Sequence, residues 1–592
     1  MENTHKKSIQ KKSLLIAITL ILSLGLAVYA NSLDGKFIWD DEFLVEKNEY
    51  IKDSSNITKV FTENITVLGQ RKWHFYRPLQ ILSYMVDYSF WKLDVRGYHL
   101  TNILLHILVA LGIYWLISIL FGDRLLSFFT SIFFIAHPIH AGPVSYISAR
   151  ANSMVAFFIL LTIIFYIKSL HTKKPTMFFS MILSYIACLL SRELALILPA
   201  ILLLYHYIFK KKIRPKEFLS ILAITFVYIL LRLTVLKAFL VHPAISTTLF
   251  ERLPGFFVAI TSYIRLLILP INLHMEYGMK LFSLTDPRVT IGLILLVLPL
   301  IYGFRKEKSN NLMLFSVLWF FIVLLPVSNL YPVNAYMSEG WLYVPSIGFF
   351  LLLAKGLSSL YRTEKLRILA IVLTIALLSF YSGRTIKENT YWKEPIAFYE
   401  RILKYAPDSS RAHYNLGKIY YDIGNKEKAI SAYKKAIEIN PYHAKAYNNL
   451  GGAYYHLGKI KEAIPVLEKA IKLNPDYVKA YSNLASAYYS TGKKEESIAM
   501  FKKAIEINPG YIDAYYNLGV AYKNIGDNEE AIATYKKLLE INPNYVEAYF
   551  DLSVIYFHEK QYGLAIKYCD RIIKLGFKVS PEFLENLRPY RK

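Results

Sequence analysis

The sequence predicts an all-α protein in two parts, a polytopic transmembrane helical bundle over residues 13–384 and an α-solenoid over residues 411–578. Two observations carry this. The chain is 54% hydrophobic and 15% aromatic, and the excess sits in 13–384, where runs such as Leu14–Val28 and Ile291–Leu300 hold no charge. Apolar runs of roughly 17–25 residues span a bilayer as helices. The last third then repeats itself. Pro407, Pro441, Pro475, Pro509 and Pro543 stand 34 residues apart, as do Asn415, Asn449, Asn483 and Asn517, with Asp551 in the fifth slot. Stacked repeats of that length are the mark of a solenoid.

Taken in order, residues 1–12 form a basic N-terminus with Lys6, Lys7, Lys11 and Lys12, and the apolar run after it reads as an uncleaved first membrane helix. Helices are expected near 13–30, 99–120, 125–145, 152–168, 177–190, 193–209, 218–236, 289–304, 312–330, 342–358 and 366–382, about eleven crossings. Much of the net charge of +25 lies in short clusters between them: Lys173, Lys174; Lys210–Lys212 with Arg214; Arg305, Lys306, Lys308; and Arg362, Lys365, Arg367. That is positive-inside patterning rather than a nucleic-acid footprint, and it puts these loops and the N-terminus in the cytoplasm. An odd number of crossings then places the solenoid outside, on a multi-pass protein of the cell (inner) membrane. The segment 256–272 carries Arg265 and is interrupted by Pro270, so it reads as re-entrant or interfacial. The first outer loop, 31–97, holds Trp73, His74 and Trp91, a composition suited to a helix lying on the membrane surface. Two cysteines, Cys188 and Cys569, lie in different parts and offer no disulfide framework or metal motif.

Residues 385–410 form a connector with a half-repeat, Trp392–Pro407. The first full repeat then reads Ala412, Leu416, Gly417, Tyr420, Gly424, Ala429, Tyr433, Ala436, Pro441, the small and large packing positions of a tetratricopeptide repeat. Five repeats are expected. In the fifth, Lys560 replaces the glycine and Phe577 the proline, as suits a capping repeat, and a tail follows over 579–592. Asn415, Asn449, Asn483 and Asn517 face the concave groove at one register. They can bond the backbone of a polypeptide without reading its sequence; the alternative is that they bond within the solenoid.

Charged groups in or beside membrane helices are costly and mark function. The leading candidates are Asp40 and Asp41, just beyond the first helix. Two adjacent carboxylates can hold a divalent metal on a phosphate or supply a general base; the plainer reading is a solvated loop or helix cap. Arg192, Glu193 and Glu339 are the other costly groups, and they argue against a mere membrane anchor.

The motifs Trp39-Asp40-Asp41, Tyr76-Arg77-Pro78-Leu79, Gly97-Tyr98-His99-Leu100-Thr101-Asn102 with Leu105-His106, His137-Pro138-Ile139-His140, Arg150-Ala151-Asn152, and Glu339 with Leu342-Tyr343-Val344-Pro345-Ser346 resemble, in that order, the TMTC-type proteins. These are multi-spanning glycosyltransferases of the GT-C class followed by tetratricopeptide repeats, and the resemblance covers essentially the whole chain. It implies an enzyme that takes a sugar from a polyprenyl-phosphate carrier, with Asp40 and Asp41 as the catalytic pair and a possible Mg or Mn site. Arg77, Arg150 and Arg192 are then candidates for the carrier phosphate. His99, His137 and His140 would position that phosphate or the acceptor. The family pattern has an arginine after the glutamate, where this chain has Gly340 followed by Trp341. Near-consensus repeats and high Lys and Ile usage point to a prokaryote, where the carrier would be undecaprenyl phosphate. Three functions stand side by side: transfer to protein Ser/Thr presented by the repeats; the same chemistry on a glycan or lipid, with the repeats docking partners; and a non-enzymatic scaffold.

Overall fold

The computed structural model describes residues 2–62, 76–172, 174–234, 247–278, 280–305, 311–330, 333 and 335–591, with the backbone alone for 2–11 and 305. Trp73, His74, Lys173, Lys306 and Lys308 lie outside the described residues, as do the side chains of Lys6, Lys7, Lys11 and Arg305. Every regular element among the described residues is helical. The chain divides into two compact units, Met1–Pro407 and Asp408–Lys592.

Among the described residues of the first unit six helices are long and apolar enough to cross a membrane: Lys12–Ser32, Val95–Phe121, Ile147–Thr172, Pro215–Thr234, Pro287–Phe304 and Glu364–Lys393. A bent pair, Arg124–Ala136 with Pro138–Ser145, makes a seventh if counted as one span. The expected eleven crossings are therefore not reproduced by length. The other expected crossings fall on shorter helices: Pro175–Ser191 (17 residues), Leu198–Phe209 (12), Asn311–Leu324 (14) and Ser346–Arg362 (17). The breaks have local causes. Pro138 lacks an N–H and forces its predecessor out of helix, so His137 is extended at ψ 131° and the axis bends by 54°. Arg192 is extended at φ −166°, ψ 151°, and separates Pro175–Ser191 from a 3₁₀ turn over Glu193–Ile197. Of the segment expected as re-entrant, 256–268 belong to a helix, Leu249–Ile268, opened by a Thr248/Glu251 capping box, and 269–272 lie beyond its end. With Arg252 and Arg265 aboard, it is not among the helices apolar enough to cross.

The first loop is folded. A helix Pro78–Trp91 and short turns enclose a small core of Val45, Ile51, Val60, Ile81, Tyr84 and Met85. Close helix crossings use missing side chains: a Cβ on Gly348 would stand 2.3 Å from the Ser316 carbonyl oxygen. At the basic helix ends Arg362 pairs with Asp123 at 2.5 Å, and Arg124 donates to Ser13 Oγ at 3.1 Å.

The second unit holds five helical hairpins, and the tail after them forms a short helix, Pro581–Leu587. Each first helix (Ser410–Asp422, Ala444–His456, Val478–Ser490, Ile512–Ile525, Val546–His558) packs on its second (Lys426–Ile439, Ile460–Leu473, Lys494–Ile507, Asn528–Ile541, Tyr562–Lys574). Between them one residue turns left-handed: Gly424, Gly458, Gly492, Gly526 and, at φ 60°, Lys560.

Candidate functional site

The first unit holds a cavity of about 210 Å³. Asp40, Arg77, Arg192 and Glu339 stand on its walls with Tyr146 and Ser148. These residues come from parts of the chain far apart in sequence, and all lie at or beside helix ends. Along the chain those ends alternate with the ends that carry Lys174, Lys210–Lys212 and Arg362.

The acidic pair is split. Asp40 lines the cavity. Asp41 is fully buried: its Oδ1 accepts from Ser148 N at 2.7 Å and from Ser148 Oγ, and its Oδ2 accepts from Ile38 N at 3.1 Å. Asp41 thus ties the first loop to the turn Ile147–Ala149, and the Asp40 backbone N–H donates to Tyr146 Oη at 3.2 Å. The expectation of a joint metal site on Asp40 and Asp41 does not fit this geometry, because three donors hold the Asp41 carboxylate outside the cavity lining. Among the described residues no cluster of three His, Cys, Asp or Glu side chains is placed to hold a metal.

Trp39, just before Asp40, adopts φ 55°, a left-handed conformation that costs a bulky residue on the order of 1–3 kcal/mol. Its ring stacks on Tyr399 (5.6 Å, 18°) and meets Phe398 edge-on (5.8 Å, 87°). Glu339 accepts from Tyr277 Oη at 2.5 Å and from His274 N at 2.6 Å. Burial pushes its carboxyl up to about 8, and burial raises Asp41 to about 7 against the pull of its donors.

The cations divide. Arg77 pairs with Glu193 at 3.2 Å, and Glu193 pairs also with Arg232 at 3.1 Å. The Arg192 side chain makes no hydrogen bond or ion pair within the described residues, and the residue lines the cavity. Arg150 is not at the cavity. It is fully buried, paired with Asp87 at 2.5 Å and donating to Asn102 Oδ1 (2.7 Å), Ser83 Oγ (3.0 Å) and the Tyr98 carbonyl (3.0 Å), so its guanidinium is engaged within the fold and not offered to a phosphate in the cavity.

The expected histidines also sit in packing. His137 bonds the Leu267 carbonyl (3.1 Å), while His140 bonds the Phe134 carbonyl (2.7 Å) and Ser346 Oγ (3.1 Å). His99 is buried so close to Gly35 that a Cβ there would stand 2.7 Å from its Nε2. Arg232, Ser148, Tyr277 and His274 were not anticipated. Arg232 carried a readable signal, a charge inside an apolar helix; the others carried none.

In the repeats the asparagine register is partly spent on the solenoid itself. Asn449 Nδ2 donates to Tyr414 Oη (3.3 Å), Asn448 Nδ2 to Asn449 Oδ1 (3.0 Å) and Asn483 Nδ2 to Asn448 Oδ1 (2.9 Å). In the fifth slot Asp551 pairs with Lys523 at 2.5 Å and accepts from Tyr535 Oη at 3.0 Å. A ladder of four amides reserved for a guest is therefore not what these residues form. Asn415 and Asn517 are half-buried.

Comparison with known proteins agrees with both units. The tetratricopeptide repeat family matches residues 410–443, 432–464, 512–545 and 534–567, and the TPR repeat family matches 452–492 and 485–526. Among solved structures, MamA is 30% identical over 27% of this chain and 94% of that one (TM-score 0.26), and YrrB, a TPR protein, is 20% identical over 32% and 97% (TM-score 0.28). Among curated proteins, protein O-mannosyl-transferase F38B6.6 of Caenorhabditis elegans is 26% identical over 427 residues, 69% of this chain and 60% of that one. Human protein O-mannosyl-transferase TMTC2 is 26% identical over 521 residues, 71% and 62%. The chain thus spans about 60% of the length of these relatives. Over that length it is a homologue of the TMTC-type protein O-mannosyl-transferases, with tetratricopeptide repeats as its C-terminal part.

Proposed function

We propose that this chain is an integral-membrane glycosyltransferase of the GT-C type that moves a sugar, mannose by analogy with its relatives' names, from a polyprenyl-phosphate carrier to a protein hydroxyl. The observation that supports it best is one cavity walled by a carboxylate, Asp40, and two guanidiniums, Arg77 and Arg192. Arg192 supplies a guanidinium whose side chain makes no hydrogen bond among the described residues, and Arg77 shares its charge with Glu193; arginine forks suit phosphate oxygens.

In this reading the acceptor serine or threonine oxygen bonds the sugar C1 while the bond from C1 to the phosphate oxygen breaks. The hydroxyl proton passes to Asp40. The departing polyprenyl phosphate keeps the bond's electron pair and is stabilised by the arginines. Glu339, protonated at neutral pH, donates a hydrogen bond to the sugar or the acceptor. Asp41 acts by holding the loop that presents Asp40. The cavity opens on the extracytoplasmic side, since its residues sit at the helix ends opposite in chain order to the basic ones. The chain leaves the bundle at a cavity end, so the repeats follow on that side and recruit the protein acceptor.

The test is reconstitution with polyprenyl-phosphate mannose and a serine- and threonine-bearing polypeptide. Asp40→Asn should lower transfer by about 100-fold or more, the usual worth of a general base. Arg192→Ala should raise KM for the carrier. An Asp40→Asn protein as active as the parent overturns the reading.

A further inference from the structure

Among the described residues of the first unit five other than glycine have left-handed backbone, and two of them, Trp39 and Asn272 (φ 62°), stand beside the groups that hold the cavity's acids. Both are gripped by one helix, Pro395–Tyr405, the half-repeat that follows the last long helix. On one arm Tyr399, which is almost fully buried, stacks on Trp39, the residue before Asp40. On the other arm Tyr405 Oη donates to Asn272 Oδ1 at 3.0 Å, and its ring stacks on His274 (5.0 Å, 22°). Between them Arg401 Nε donates to the Leu273 carbonyl at 3.0 Å, and its Nη2 pairs with Glu388 at 3.1 Å. The segment held in this way ends in the donors of Glu339: His274 N and Tyr277 Oη, whose rings lie 4.0 Å apart. The same helix therefore touches the supports of both acids. The cations belong to other elements: Arg77 precedes the helix Pro78–Trp91 and pairs with Glu193, and Arg192 follows Pro175–Ser191.

We propose that the helix Pro395–Tyr405 is the positioning element of the cavity, setting Asp40 through Tyr399 and Trp39, and Glu339 through Tyr405, Arg401 and the segment Asn272–Tyr277. The inference rests on the reading of the cavity as the transfer site. A left-handed tryptophan persists only while its surroundings hold it. Release of the stack lets the backbone at Trp39 relax, and Asp40 leaves its place over the reacting hydroxyl. The phosphate grip is untouched. The split of acids on the connector and cations on the bundle means that the connector controls turnover and not carrier binding.

The experiment uses the full chain in proteoliposomes with polyprenyl-phosphate mannose. Tyr399→Leu keeps apolar volume but removes the stacking face; Tyr399→Phe keeps the face. Tyr399→Leu should lower kcat about 10- to 100-fold, the usual effect of misplacing a reacting group by about an ångström, with KM for the carrier unchanged within about threefold. Tyr399→Phe should restore most of the rate. A parallel readout is independent of activity. With 5-fluorotryptophan incorporated, the ¹⁹F resonance of Trp39, identified by its loss in Trp39→Phe, should move in Tyr399→Leu and stay in Tyr399→Phe. Parental kcat in Tyr399→Leu, or a loss carried by KM, overturns the proposal. If the parent transfers no sugar, the functional reading fails on its own, and a Trp39 resonance that ignores Tyr399→Leu overturns the positioning role separately. Should Tyr399→Leu not fold, Tyr405→Phe, which removes only the bond to Asn272, decides by the same kcat-against-KM split.

Discussion

Asp40 and Asp41 share a peptide bond and do different work, because the backbone turns one into the cavity and the other into protein. Asp41→Asn replaces one acceptor oxygen with a donor facing Ser148 or Ile38, and a mismatch of that kind in a buried site costs on the order of 1–3 kcal/mol. Loss of stability is therefore expected for Asp41→Asn and loss of turnover without it for Asp40→Asn. Thermal unfolding in detergent, run beside the transfer assay, separates them. Glu339 adds a pH dependence. Its carboxyl titrates near 8 folded against 4.5 as an ordinary side chain, so the folded protein holds that proton longer. Its contribution is fully present below about 4.5 and is lost as pH rises through about 8. Asp41, at about 7 against 3.8, acts in the same direction. Stability should fall across that window, and Glu339→Gln should flatten the upper part of the slope. An identical slope in both proteins would show that Glu339 is ionised in the fold. From the sequence, Asp40, Arg77, Arg192 and Glu339 were legible because charge beside apolar helices is costly wherever it occurs. Arg150 and the histidines carried the same cost and were read the same way. What sets Arg150 apart is its engagement by Asn102, Ser83 and Tyr98, and what sets the histidines apart is burial, arrangements that only the tertiary fold decides.

At the scale of elements, the repeats were legible to the residue and the membrane helices were not. A tetratricopeptide hairpin is set by local packing that the chain states every time: a Cβ on Gly451 would lie 2.4 Å from Leu467, and one on Gly519 2.5 Å from Tyr535. The membrane helices are cut by single residues, Pro138 and Arg192, inside segments whose composition reads as continuous. The exception in the repeats proves useful. Lys560 takes the left-handed turn that glycine takes in the other four, at roughly 1–2 kcal/mol for a residue with a side chain. Lys560→Gly should stabilise the array by about 0.5–1 kcal/mol after the greater unfolded-state entropy of glycine is counted. Urea unfolding of the parent and the variant checks this, and a variant that unfolds earlier removes the argument.

For the whole molecule the first consequence is topological. The cavity residues and the basic clusters occupy alternate ends along the chain, and the short helices keep that alternation even where they fall below the length of a full span. With the buried Cys188 and Cys569 replaced, His456→Cys should react with an impermeant thiol reagent in intact cells, and Lys211→Cys only after permeabilisation. The reverse pattern would turn the protein over.

The asparagine network carries a different consequence. Tyr414 with Asn449 and Asn448 with Asn483 are both pairs 35 residues apart, one repeat plus one residue, and Tyr516 with Asp551 keeps the same interval. Such a bond measures the step between consecutive hairpins rather than any particular hairpin. Duplication or loss of one whole repeat presents each polar side chain with a neighbour from the same register, whereas an insertion of any other length breaks the series. The array is thus suited to change its number of repeats while its spacing stays fixed, and the length of the solenoid becomes an inherited integer.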